Sequence, residues 1–214
     1  MATIDGSVEV LVREILKRHS LSGGRRLLVA IAGAPGSGKS TLADAAALAI
    51  NRQRSGIAAV FPMDGYHFDD RLLHIMGRRS RKGAPDTFDV DGLKHMLGRL
   101  KQNTEDAIAV PVFDRQLETA RAGARLIPHE VEIVLCEGNY LLLQQRPWDS
   151  LKPLFDFTVL VDVDEAELRR RLAERWQGYG LSPDEIRAKV EDNDLPNGMV
   201  IVTSSSKPDL KLRN

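Results

Sequence analysis

The sequence predicts a three-layer α/β domain with a mainly parallel central sheet and helices on both faces. Three observations predict it. A glycine-rich loop of the pattern G-x-x-x-x-G-K-[ST], Gly33 to Ser40, joins an apolar, strand-like run (Leu27–Ala32) to an alanine- and leucine-rich, helix-like run (Thr41–Ile50). Further apolar runs at 58–63, 131–136 and 155–161 are each followed by an acid, Asp64, Glu137 or Asp162, and are separated by helix-like stretches. The 214 residues with 43% hydrophobic content suffice for one sizeable α/β domain carrying an inserted lid, and no linker rich in Pro, Gly or Ser divides them. The expected organisation is therefore one domain over 1–214, with excursions at 66–90 and 114–128 and a lid at about 165–182.

Lys+Arg and Asp+Glu balance at 30 each, which argues against a dedicated nucleic-acid or membrane-surface protein. A single cysteine, Cys136, rules out an intrachain disulfide framework, and its apolar neighbours make it a core residue rather than a nucleophile. No signal peptide, long apolar span or lipidation motif is visible, so a cytoplasmic location is expected.

The loop Gly33-Ala34-Pro35-Gly36-Ser37-Gly38-Lys39-Ser40-Thr41 carries the clearest chemistry. Its glycines let several backbone N–H groups face one point at a helix N-terminus, where the dipole favours an anion. Lys39 adds a mobile positive charge for the outer phosphates, and the Ser40 hydroxyl is placed to ligate magnesium. ATP and Mg2+ are the expected cofactors.

Around this loop the elements fall in order. Residues 5–20 carry Val8, Leu11, Ile15 and Leu16 at helical spacing, and a turn at 21–25 leads into the first strand. The second strand, 58–63, ends at Asp64-Gly65-Tyr66-His67. Ligands of an open parallel sheet lie beyond the carboxyl ends of its strands. Asp64 is thus expected to face the γ-phosphate, as a base for an attacking hydroxyl or a holder of magnesium through water. Residues 68–90 are polar and basic, and read equally as a solvated loop or as a segment covering an anionic substrate. Val90 to Leu100 is an amphipathic helix. The strand at 107–113 and a short extended piece at 125–128 predict a small β-excursion carrying Asp114, Arg115 and Glu118 towards the acceptor.

The strand Val131–Cys136 leads into Glu137-Gly138-Asn139-Tyr140, the form of a strand whose acid meets the magnesium shell. The next strand, 155–161, leads through Asp162 to Asp164, expected to cap a helix over 165–176. That helix carries Arg171 and Arg175 four apart on one face, either as lid cations over the phosphates or as part of a solvated helix face. Ser182 and Glu185 form a capping-box signature. Met199 to Thr203 reads as a final strand, and the loop at 204–209 is expected beside the base.

Taken together, Gly33–Thr41, "MDGYHFDD", "RKGAPDTFDV", "VPVFDR", "EGNYLLL" and the Asn193–Asn197 segment resemble the P-loop small-molecule kinases grouped with uridine kinase, phosphoribulokinase and type I pantothenate kinase. Within that group the chain looks most like bacterial proteins called fructose-transport-system kinases. The resemblance implies a P-loop NTPase fold and transfer of the γ-phosphoryl of ATP to a hydroxyl of a small metabolite. It implies Asp64 as general base, Lys39, Arg171 and Arg175 as charge stabilisers, and Ser40 and Glu137 at the metal. Tyr66, His67, Asp114, Arg115 and Tyr140 are implied on the substrate side. A sugar such as fructose is the implied acceptor, with a pantothenate- or nucleoside-type acceptor as the alternative. Gly65 and Tyr66 stand where uridine kinases usually carry serine and phenylalanine, which points away from a nucleoside. Dimers are common among such relatives, so a homodimer is compatible with the resemblance. The rival from another class is a nucleotide-binding regulator with slow hydrolysis and a protein partner, although no N-K-x-D guanine signature is present.

Overall fold

The computed structural model describes residues 4–214. Five parallel strands form the central sheet in the order β2-β5-β1-β6-β7. They are β1 (Leu27–Gly33), β2 (Ala58–Pro62), β5 (Ile133–Gly138), β6 (Phe157–Asp162) and β7 (Leu210–Arg213). β1 lies between β5 and β6, with Ile31 paired to Glu137 on one side and to Val159 on the other.

Sequence alternation sets the two faces of the sheet. Leu27, Val29 and Ile31 point into one core with Leu11 and Ile15 of α1 (Ile4–Ser20) and Leu42, Ala46 and Ile50 of α2 (Lys39–Gln53). Leu28, Ala30 and Ala32 point into the other, with Leu93 and Leu97 of α4 (Val90–Gln102), Trp148 and Leu172. Both faces are covered, so the central strands read as continuous apolar runs. Arg26, just before β1, is buried and donates to the carbonyls of Val131 and Pro128 at 2.7 Å each, tying the bottom of the sheet together.

A separate antiparallel hairpin, β3 (Ala107–Asp114) and β4 (Thr119–Pro128), forms the β-excursion expected near 114–128. It begins earlier than that span because its first strand packs Ile108 and Val110 into the core. The polar stretch 68–90 is built rather than irregular. It holds α3 (Asp70–Ile75) and short 3-10 turns at Arg79–Arg81 and Pro85–Thr87. α5 (Glu165–Gly178) starts at Asp164, whose side chain makes no capping bond, while the Ser182–Glu185 capping box of α6 (Pro183–Lys189) is present in full.

Another expectation is overturned. Met199–Thr203 is not the last strand but part of α7 (Leu195–Ser204), entered from a π-helical turn at Val190–Asp194. The β-branched run favours a strand locally, but tertiary packing wins. Asn197, Gly198 and Ile201 sit at helical spacing and are buried, while Met199 and Val202 face outward. The edge strand comes later, as β7. Among the described residues no helix is long and apolar enough to cross a membrane.

Candidate active site

The loop following β1 places Gly36 and Gly38 in the left-handed region, at φ 79° and 85°. Side chains are disfavoured there, so the turn requires glycine. Gly33 needs its missing side chain for a different reason, since a Cβ would lie 2.5 Å from the Ser37 hydroxyl. α2 begins at Lys39 without a side-chain cap, leaving its first N–H groups free to meet an anion. From outside, the loop is held by Asn214, whose amide donates to the Ser37 carbonyl at 2.8 Å, and by Arg171 at 3.5 Å from the same oxygen.

A cleft of about 370 Å³ opens beside this loop. Lys39, Asp64, His67, Arg115 and Arg175 line it, together with Arg79, Lys82, Phe113, Glu118, Asn139, Trp176, Lys189, Asn193, Asp194 and Asn197. Asp64 enters from the 3-10 turn after β2 (Met63–Tyr66), and its carboxylate accepts from Arg115 at 2.8 Å. Burial alone would raise the Asp64 pKa. Nearby basic groups, Arg115 and Lys39 among them, outweigh it and hold the carboxyl below its ordinary value. His67 is itself stacked on Phe88 with Phe113 tilted against it, and burial pushes its pKa down to about 4. At neutral pH His67 is therefore uncharged, and the arginine and lysine keep Asp64 ionised.

Glu137, at the end of β5, is buried and accepts a hydrogen bond from Ser40 at 2.9 Å. Burial raises its pKa, against the pull of Lys39, and nearby Asp64 pushes the same way as burial. A buried acid in this state is costly unless a cation joins it. Among the described residues no cluster of three or more His, Cys, Asp or Glu side chains could hold a metal unaided. One hydroxyl and one carboxylate beside a phosphate loop instead fit Mg2+, which is commonly held by one or two protein oxygens and the substrate phosphates.

Several sequence-predicted residues fall elsewhere. Tyr66 is buried edge-on against Phe61 in the core, and Tyr140 is fully buried, its hydroxyl donating to the Gly83 carbonyl at 2.6 Å. Neither lines the cleft, because both rings are needed to pack the segments that do. Asp114 accepts the N–H groups of Gln116 and Leu117 and pairs with Arg121, so it shapes the hairpin turn. Arg171 and Arg175 separate in role. Arg175 reaches the cleft and lies 3.7 Å from Asp194, whereas Arg171 pairs with Glu167 and touches the outside of the loop.

Among the cleft residues that sequence reasoning did not single out are two from the π-helical turn. It brings Asn193 and Asp194 inward, with Asp194 accepting from the Trp176 indole at 2.7 Å and Asn193 donating to the Lys82 carbonyl at 3.1 Å. The signal available was Asn193-Asp194-Leu-Pro-Asn197, a polar cluster around a proline inside an otherwise helical stretch. π-turns inside helices are frequent at functional sites.

Residues 28–204 match the model of the phosphoribulokinase/uridine kinase family. A protein of Schizosaccharomyces pombe provisionally named a uridine kinase is 33% identical, over 94% of this chain and 86% of its own length. Pantothenate kinase of Listeria monocytogenes is 32% identical over 70% of this chain, and the matched part is 49% of that enzyme. The crystal structure of a provisionally named fructose transport system kinase from Silicibacter superimposes with a TM-score of 0.89 at 38% identity, covering 96% of this chain and 98% of the other.

Proposed function

Because the chain belongs to the phosphoribulokinase/uridine kinase family and is an ATP-dependent small-molecule kinase, we propose that it moves the γ-phosphoryl of magnesium-bound ATP onto a hydroxyl of a sugar-sized metabolite held in this cleft. The observation that carries the proposal is the meeting of an ionised Asp64 with Lys39 in one cleft beside an anion-binding loop. Transfer of this kind asks little covalent chemistry of the protein and much positioning and charge neutralisation. Backbone N–H groups of Gly33–Thr41 cradle the triphosphate. Lys39 and Arg175 spread the charge that develops on the transferring group. Asp64, released by Arg115, takes the proton of the acceptor hydroxyl. Ser40 and Glu137 would hold Mg2+, which when bound supplies charge neutralisation between the outer phosphates.

In this reading residues 1–214 form one kinase domain acting in the cytoplasm, with 66–90 and 114–128 on the acceptor side and 165–182 as the lid. The name of the Silicibacter relative makes fructose the first acceptor to test, with pantothenate- and nucleoside-type compounds next. The test is ATP consumption with magnesium against sugars, sugar acids, sugar phosphates, pantothenate and nucleosides, with product masses read directly. Phosphorylated product that vanishes in Lys39→Ala is expected. ATP turnover that never depends on an added acceptor, or that is normal in Lys39→Ala, overturns the proposal.

A further inference from the structure

We propose that the acceptor is itself an anion: a hydroxylated compound whose carboxylate or phosphate group is held by Arg79, Lys82 and Arg115. The inference rests on the kinase reading and narrows its substrate class.

The charges of the cleft divide into two ends. Lys39, in the phosphate loop next to the Ser40–Glu137 contact, marks the triphosphate end. His67 and Lys82, both against the Phe113 ring, mark the end beneath the hairpin. Arg115, paired with Asp64, lines the same cleft. A triphosphate accounts for Lys39 and Arg175, and leaves Arg79 and Lys82 to be explained.

Those two cations converge on one carboxylate. Asp70 lies 2.7 Å from Arg79 Nε through one oxygen and 2.7 Å from Lys82 Nζ through the other. Glu118 adds a second carboxylate 3.8 Å from Lys82, so the two cations are balanced locally. The surplus lies in the cleft lining, where Lys39, Arg79, Lys82, Arg115, Arg175 and Lys189 face only Asp64, Glu118 and Asp194. Lys82 is not a solvated surface lysine, because its side chain is only 8% exposed. Its ammonium also donates to the Glu118 carbonyl at 2.6 Å and sits 4.9 Å from the centre of the Phe113 ring. Holding an ammonium out of water is costly, and here it is fixed at the cleft wall by Asp70, Glu118 and the Phe113 ring. Arg79 pairs with Asp70 through Nε and lines the cleft, where a guanidinium suits a planar oxyanion.

The third cation links binding to chemistry. Arg115 occupies the carboxylate that must accept the proton, at 2.8 Å. It stands on the hairpin turn with a side chain 53% exposed, within the same cleft as Lys82. An anionic acceptor gives Arg115 a new partner beside Lys82 and so frees Asp64 as it binds. A neutral acceptor offers no such exchange. His67, neutral between its two aromatic neighbours, adds a hydrogen-bonding group without opposing the anion or adding to its attraction.

The test is a panel of charge-matched pairs: hydroxy acids against their amides, and sugar phosphates against the free sugars, fructose included. Each pair is read by phosphoryl transfer and, independently of turnover, by the shift in melting temperature with a non-hydrolysable ATP analogue bound. The expected result is that one charged arm is preferred by about 10- to 100-fold in kcat/KM, the size of charge-assisted hydrogen bonds. The preferred arm identifies the group as carboxylate or phosphate. Arg79→Gln, a half-exposed site that tolerates change, should raise the acceptor KM by a similar factor and leave the KM for ATP within about twofold. Arg115→Lys, which keeps the charge but loses the fork, should recover part of the loss in Arg115→Ala. A neutral acceptor used as well as its charged partner, or no acid stabilising the protein more than its amide, overturns the inference while leaving the kinase reading intact. Absence of transfer together with absence of nucleotide binding would instead count against the kinase reading.

Discussion

Asp64 and Arg115 come from elements 51 positions apart in sequence, and the tip of the β3–β4 hairpin sets the guanidinium 2.8 Å from the carboxylate. The pair closes the cleft over the proposed base. It also keeps that base ionised, since the arginine holds the Asp64 carboxyl below its ordinary value despite burial. Asp64→Asn should lower kcat by about 10²- to 10⁴-fold, the usual worth of a positioned base, with nucleotide affinity nearly unchanged. Arg115→Ala removes a positive charge, so the Asp64 pKa rises and the acidic limb of the kcat/KM profile should move to higher pH. A profile that stays in place in Arg115→Ala would separate this arginine from the base.

The Ser40–Glu137 contact predicts a metal-specific defect. Glu137→Gln keeps an acceptor for the Ser40 hydroxyl but removes the charge, so the magnesium dependence of turnover should weaken by about 10- to 100-fold. The ligand-free protein should be no less stable than the parent, because burial already disfavours the charged form of Glu137. Titration of activity with MgCl2, beside a urea melt of the ligand-free protein, reads both. A magnesium response equal to the parent's would remove Glu137 from the metal.

His67 predicts a pH-dependent stability. Its pKa is about 4 in the fold against an ordinary 6.5, lowered chiefly by burial and opposed by Asp64. Between those values the unfolded chain binds the proton and the folded chain does not. The His67 contribution is therefore complete above pH 6.5 and is lost as pH falls towards 4, a change of about 2–3 kcal/mol. Urea melts at a series of pH values should show this slope in the parent and a flatter one in His67→Gln. Equal slopes would mean that His67 titrates normally in the fold.

Gly65 predicts a packing penalty. A Cβ there would lie 2.6 Å from the Pro111 carbonyl oxygen and 2.8 Å from its carbon, both of them backbone atoms of β3. Gly65→Ser should cost about 1–3 kcal/mol and push the hairpin outward, lowering turnover along with stability because Arg115 rides on it. This close approach is the physical reason for glycine after Asp64. A Gly65→Ser protein with parental stability would show that the hairpin yields without cost.

Much of this protein is legible in its sequence because the signals are local. The glycine pattern of Gly33–Lys39 requires a left-handed loop between a strand and a helix, and the apolar runs ending at Asp64 and Glu137 place both acids at the carboxyl edge of a parallel sheet. Capping at Ser182 needs only residues three apart. Local signals are therefore enough for the α/β architecture, the phosphate loop and the two acids beside it. The rest depends on how distant segments pack. The tertiary structure made a helix of the β-branched 199–203 run because packing along α7 outweighs local propensity. It buried Tyr66 and Tyr140 and turned Asp114 to its own hairpin, since which polar side chain faces a cleft depends on how distant segments pack. It also gathered Arg79, Lys82, Arg115 and the Asn193–Asn197 turn around one space, a convergence that no spacing along the chain encodes.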